Sequence, residues 1–111
     1  MGRKATISAC TLNLWAMDFQ GNLSKILKSI TLAKNAGSSL RVGTELEVCG
    51  YSCQDHFLEC DTYLHSWEVL IEIMKYTDSE DMLIFVGMPI VHKNVSYNCM
   101  VAVFNKYSRM M

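Results

Sequence analysis

At 111 residues, half of them apolar or aromatic and 19% charged, the chain has material for one small domain or for a piece of a larger one, and not for two domains. Its net charge of −1, with Lys and Arg scattered, supplies no basic field for nucleic acid or for an anionic membrane surface. No apolar run reaches bilayer length, and Thr6, Ser8, Thr11 and Asn13 interrupt residues 1–15 where a signal peptide would be apolar, so a cytoplasmic, reducing compartment is the expectation.

Lys4 to Leu14 reads as a buried first strand built on Ala5, Ile7, Ala9, Leu12 and Leu14. Asp18 to Asn22, with Gly21, is a polar break. Leu23, Ile26, Leu27, Ile30 and Ala33 then recur at three- and four-residue steps, the stripe of an amphipathic helix. Lys25, Lys28 and Lys34 fall on its solvated side, and Gly37 is placed to stop it. Leu40 to Gly43 is a short second strand, and Thr44 to Cys60 is irregular. Asp61 or Thr62 caps a second helix with Leu64, Trp67, Leu70, Ile71 and Met74 as its apolar stripe.

After a polar break at Thr77 to Asp81, Met82 to Val86 forms a third strand, which Gly87-Met88-Pro89 ends. His92 to Ser96 turns the chain, and Tyr97 to Phe104 returns antiparallel to the third strand. The order β-α-β-α-β-β predicts an α/β fold, a mostly parallel sheet with its helices on one face. Parallel sheets are normally covered on both faces. No further element is expected after Phe104, so the second face should want a layer from outside these residues.

The segment LRVGTELEVCGYSCQDH, Leu40 to His56, carries the chemistry. Strand ends are where loops leave a rigid sheet and where functional groups collect. Glu45 follows the strand at once, and its apolar neighbours Leu46 and Val48 could desolvate it into a base. Glu47 reads as structural. Five cysteines, Cys10, Cys49, Cys53, Cys60 and Cys99, are an odd number and suit buried thiols better than a disulfide framework. Cys49 and Cys53 with His56 and Cys60 lack the second spaced pair that structural zinc needs, so no metal site is expected. His56 beside Asp55, His65 and His92 read as surface or turn residues, and the eight methionines as adaptable core filling.

Two stretches, GTELEVCGYSCQDH and VGMPIVHKNVSYNCMVAVFN, resemble the amino-terminal glutaminase domain of eukaryotic glutamine-dependent NAD synthetases, within the nitrilase (carbon-nitrogen hydrolase) superfamily. GRKATISACTLNLWAMDFQGNLSKILKSITLAKNAG is similar to the opening strand and helix of the same domain. The resemblance implies part of an α-β-β-α sandwich, with residues 1–106 as the amino-terminal portion of the domain and 107–111 as a divergent tail. It implies glutamine as substrate and a Glu-Lys-Cys triad. The thiolate attacks the side-chain amide, a thioester forms, and water releases glutamate; the ammonia serves an ATP-dependent amidation of nicotinic acid adenine dinucleotide.

By motif the general base falls on Glu45, and Tyr51 looks like a residue of the glutamine pocket. Thr44 stands where the family usually has proline. The family's lysine and cysteine lie beyond the strand matching Tyr97–Phe104, and Lys106 comes too early to be that lysine. No cofactor is implied for these residues; ATP and Mg belong to the synthetase domain, which is not among them, and the family is homo-oligomeric. The expectation is a fragment inactive by itself. Two alternatives stand beside it: a non-catalytic interaction module using the uncovered sheet face, or a fragment of another nitrilase-superfamily amidase such as a carbamoylase.

Overall fold

Asp18 starts the first helix: its carboxylate accepts the Gly21 N–H at 3.1 Å, satisfying one of the donors a helix leaves open at its first turn. A computed structural model describes residues 5–76, 81–105 and 107–110. The elements are β1 (Ile7–Ala9), α1 (Phe19–Asn35), β2 (Leu40–Val42), a 3-10 helix (Gln54–Leu58) within the segment expected to be irregular, α2 (Cys60–Lys75), β3 (Leu83–His92), β4 (Val95–Phe104) and β5 (Tyr107–Met110). They build one five-stranded sheet in the order β1-β2-β3-β4-β5. β1, β2 and β3 run parallel, joined through α1 and α2, while β3, β4 and β5 run antiparallel.

Both helices lie on one face. Ile26, Ile30 and Ala33 of α1 and Val69, Leu70 and Ile73 of α2 form the core with Ile84, Val86, Met88, Ile90, Cys99, Val101 and Val103 of the sheet. The helix stripe read around Leu23, Ile26, Leu27, Ile30 and Ala33 is therefore the buried one, and the chain turns away at Gly37. Strand alternation turns Ile7, Leu40, Val42, Leu83, Phe85, Met100, Ala102 and Phe104 to the other face, which the two helices leave open.

Several expectations need correction. The first strand is three residues, not Lys4 to Leu14, and is an edge strand rather than a buried one, with Ile7 59% exposed. Asn22 does not belong to a polar break; it is fully buried in the first turns of α1. On α2 the apolar stripe is rotated: Leu64, Trp67 and Ile71 are 55%, 41% and 46% exposed, while Thr62, Tyr63, Ser66, Val69, Leu70 and Ile73 face inward. Hydroxyls decide the rotation. Tyr63 donates to the Phe57 carbonyl and meets the Ser96 hydroxyl, both at 2.8 Å, and Ser66 donates back to the Thr62 carbonyl at 2.8 Å. These small or bonded side chains let the helix sit close to the sheet and turn its bulkier apolar ones outward. Its N-cap is Glu59, which makes no side-chain capping bond; Asp61 and Thr62 lie inside the first turn, where the Thr62 hydroxyl donates to the His56 carbonyl at 2.6 Å.

Gly87-Met88-Pro89 does not end β3, which continues to His92. Carbonyls of Phe85 and Gly87 point away from β4, toward Gly43 and Val48. The same parity directs the position of the missing Pro89 N–H away from β4, so no ladder bond is lost. The turn narrows to Lys93-Asn94, both at positive φ, a two-residue hairpin that starts β4 at Val95. β5 adds a strand where none was expected, pairing Phe104 with Tyr107 and Val101 with Met110. Of the polar break at Thr77 to Asp81, residues 77–80 lie outside the described residues.

The rotated helix face gives the first test. Ile73→Ala is expected to lower the unfolding free energy by about 2–5 kcal/mol, and Ile71→Ala to change it by about 0.5 kcal/mol or less, in urea denaturation followed by circular dichroism. The reverse order would restore the stripe read from the sequence.

Candidate active site at the end of the second strand

β2 stops at Val42, and β3 runs on past it, so the chain leaving β2 travels beside β3. The Gly43 N–H donates to the Phe85 carbonyl at 3.1 Å and the Val48 N–H to the Gly87 carbonyl at 3.1 Å, which pins both ends of the intervening arc. Two glycines permit the approach. A Cβ on Gly87 would lie 2.4 Å from the Thr44 carbonyl oxygen and 2.8 Å from the Glu45 Cα; one on Gly43 would lie 1.9 Å from the Glu47 carboxylate. Leu46 takes positive φ within the arc, and the Gly50 N–H closes it on the Leu46 carbonyl at 2.7 Å.

Under the arc sits an ion pair. Arg41 and Glu47 are both fully buried, with Nη1 2.7 Å from Oε1 and Nη2 3.0 Å from Oε2. Nε and Nη2 donate to the Ser29 hydroxyl at 3.2 and 2.9 Å, and Nη1 also donates to the Phe85 carbonyl at 3.2 Å. All five N–H donors of the guanidinium are thereby used. Burial pushes the Glu47 carboxyl above its ordinary value, while the Arg41 bonds and charge and the Gly87 backbone pull it back. Behind the arc, buried Asn22 donates to the carbonyls of Trp15 at 2.9 Å and Val48 at 3.2 Å and accepts the Trp15 N–H at 3.2 Å. The chain before α1 and the chain after β2 are tied through this one amide.

Glu45 points the other way, into solvent, and accepts a hydrogen bond from Asn98 Nδ2 of β4 at 3.1 Å through Oε2. The desolvation suggested by Leu46 and Val48 does not reach it, because Val48 turns into the core while Glu45 stays exposed. Next to it, Leu46, Phe57, Tyr63, Pro89, Ser96, Tyr97 and Asn98 line a cavity of about 200 Å³. Tyr51 is exposed and is not among the residues lining that cavity.

Three of the thiols, Cys49, Cys53 and Cys99, are buried away from nucleophilic work. Cys49 and Cys53 are fully buried, and burial, with the charge and hydrogen bond of neighbouring Cys53, pushes Cys49 up to about 12. Burial also raises Cys99, whereas Cys60 is exposed. His56 meets Glu59 at 3.2 Å and His65 meets Glu68 at 3.3 Å, both at the surface; the side chain of Asp55 lies outside the described set, as does Lys106. Among the described residues no group of three or more His, Cys, Asp and Glu could hold a metal ion, and no helix is long and apolar enough to cross a membrane.

A family model for carbon-nitrogen hydrolases matches residues 6–109. The chain belongs to the carbon-nitrogen hydrolase family. It is 61% identical over 106 residues to the glutamine-dependent NAD(+) synthetase of Drosophila melanogaster and 53% identical over 106 residues to that of Homo sapiens. Those matches take in 96% of the chain and only 14% and 15% of the two relatives. A solved glutamine-dependent NAD(+) synthetase from Cytophaga hutchinsonii superposes with a TM-score of 0.86 at 29% identity, covering 93% of the chain and 17% of that structure. An amidase from Nesterenkonia sp. shares the fold, with a TM-score of 0.76 at 14% identity over 93% of the chain and 40% of its own.

Arg41, Ser29, Asn22 and Asn98 belong to no motif or periodic pattern that marks a site. A signal existed for the first of them: an arginine between two apolar strand residues, with an acid six positions on, asks where its charge goes. Arg41→Met or Glu47→Leu alone is expected to destabilise the chain by about 3–5 kcal/mol, and the double variant by much less than the sum, measured as a double-mutant cycle in urea. Iodoacetamide at pH 8 is expected to alkylate Cys60 in the native chain and leave Cys49 untouched until denaturant is added, read by peptide mass spectrometry.

Proposed function

We propose that these residues form the amino-terminal portion of the glutaminase unit of a glutamine-dependent NAD(+) synthetase, and that Glu45 is its general base. The observation that carries the reading is a carboxylate presented at the end of β2, one oxygen occupied by Asn98 and the other available, in a chain 61% identical to such a synthetase. In this reading Glu45 takes the proton of a cysteine thiol. The sulfur attacks the glutamine side-chain carbonyl, the protonated Glu45 returns that proton to the departing nitrogen so that ammonia leaves, and the carboxylate, ionised again, takes a proton from the water that opens the thioester to glutamate and then returns it to the released sulfur. Tyr51 contributes to the glutamine pocket from its exposed turn.

The attacking sulfur does not come from these residues. Cys49 is held protonated by its burial, and no cysteine stands in a recognisable arrangement with Glu45 by sequence motif. A lysine and a cysteine from other polypeptide complete the triad, and ATP and Mg serve a separate synthetase domain. Five free thiols accord with a reducing cytoplasm, and the complete enzyme is a homo-oligomer.

The 111-residue chain is expected to release no ammonia from glutamine above buffer. Residues 1–106, grafted in place of the matching segment of the Drosophila melanogaster synthetase, are expected to sustain glutamine hydrolysis. Glu45→Gln in that chimera should lower kcat by roughly a thousandfold or more while ammonia-dependent NAD formation persists. Hydrolysis within about tenfold of the unmodified chimera would remove Glu45 from the base's role.

A further inference from the structure

The Arg41–Glu47 pair is a more elaborate device than stability asks for. A buried ion pair can often be exchanged for apolar residues of similar volume without loss of stability. Its five N–H bonds therefore need another reason, and its location supplies one. Glu45 and Glu47 lie two residues apart on the arc that leaves β2. Glu47 reaches inward to the guanidinium, and Glu45 reaches outward to Asn98. Backbone bonds hold the two ends of the arc, at Gly43 and at Val48. The fork of Arg41, meeting both oxygens of Glu47, holds its underside between those ends.

We propose that Arg41 and Glu47 are positioning residues: their bidentate contact fixes the arc so that the Glu45 carboxylate stands where Asn98 can occupy one oxygen and leave the other for proton transfer. The inference rests on Glu45 being the base. Geometry makes the coupling direct. The Asn98–Glu45 bond is 3.1 Å long and joins the arc to β4, so a shift of the arc by about an ångström breaks it. A catalytic carboxylate has to be held to about half an ångström, and loops left to themselves open locally. Arginine is required over lysine because only a planar fork meets two oxygens and Ser29 together.

The test reads placement rather than turnover, so it can fail without touching the glutaminase assay above. In the 111-residue chain, the side-chain amide resonances of Asn98 and the exchange of individual backbone amides are followed by NMR in the unmodified protein, in Arg41→Met/Glu47→Leu and in Arg41→Lys. In the double variant the amides of Val48 and Gly50 are expected to lose roughly tenfold or more of their protection, while Val86 and Val101 in the sheet stay within about threefold. The Asn98 amide protons should move to solvent-like shifts. Arg41→Lys, which keeps the charge, should show the same selective loosening. If the double variant does not fold, Arg41→Lys alone decides the matter. An unchanged arc and Asn98 signal would overturn the proposal, and so would a uniform loss of protection across arc and sheet, the mark of a merely structural pair.

Discussion

A guanidinium sealed between a helix and a sheet constrains everything around it. With Arg41 fully buried, each of its donors must find an acceptor inside the protein, since an unpaired charge there would cost several kcal/mol. Ser29 on α1, the Phe85 carbonyl on β3 and the carboxylate of Glu47 meet that demand. Satisfying it sets the spacing of α1 over β2, the path of the chain after Val42 and the need for glycine at position 43, where any side chain would collide with Glu47. The arc that carries Glu45 is shaped by a demand that arises beneath it.

Among the described residues, helices cover one face of the sheet. Its helix-covered face holds a continuous core from Ile84 to Val103, while the other presents Ile7 and Phe104 to solvent and half-buries Phe85 and Met100. Parallel strands such as β1 to β3 are ordinarily covered on both sides. The outward stripe of Leu64, Trp67 and Ile71 on α2 adds a second apolar surface. Family membership gives these surfaces a context, because the chain corresponds to about one-seventh of its longer relatives (14% of the Drosophila melanogaster protein).

Chemistry in this chain is divided in the same manner. Its Glu45 carboxylate is exposed and held through one oxygen by Asn98, whereas Cys49 and Cys53 are buried, and burial pushes Cys49 up to about 12. A base and its nucleophile need not come from neighbouring elements; they need only converge in space. Here the arc that presents the Glu45 carboxylate has its supports, at Gly87, Asn22 and Arg41, among residues contained in the 111. Those supports are spread over α1, β2 and β3, which is why a segment of this size can hold one carboxylate in place.

What the sequence alone determined follows from local patterns with short-range causes. The period of α1, its stop at Gly37, the β-α-β-α-β-β order, the structural reading of Glu47 and the family resemblance around GTELEVCGYSCQDH were all legible there. The tertiary structure alone decided which side of α2 is inside, because Tyr63 and Ser66 are drawn inward by partners distant in the chain or hidden in the helix, not by hydropathy. It also decided that β3 passes through Pro89, since only strand pairing reveals which side of the strand lacks a partner. The meeting of Arg41 with Ser29, and of Asn98 with Glu45, was likewise invisible in one dimension, whereas Arg41 with an acid six positions on left a trace. Hydrogen bonds between side chains 12 or 53 residues apart leave no periodic trace, and they form only once the chain has folded.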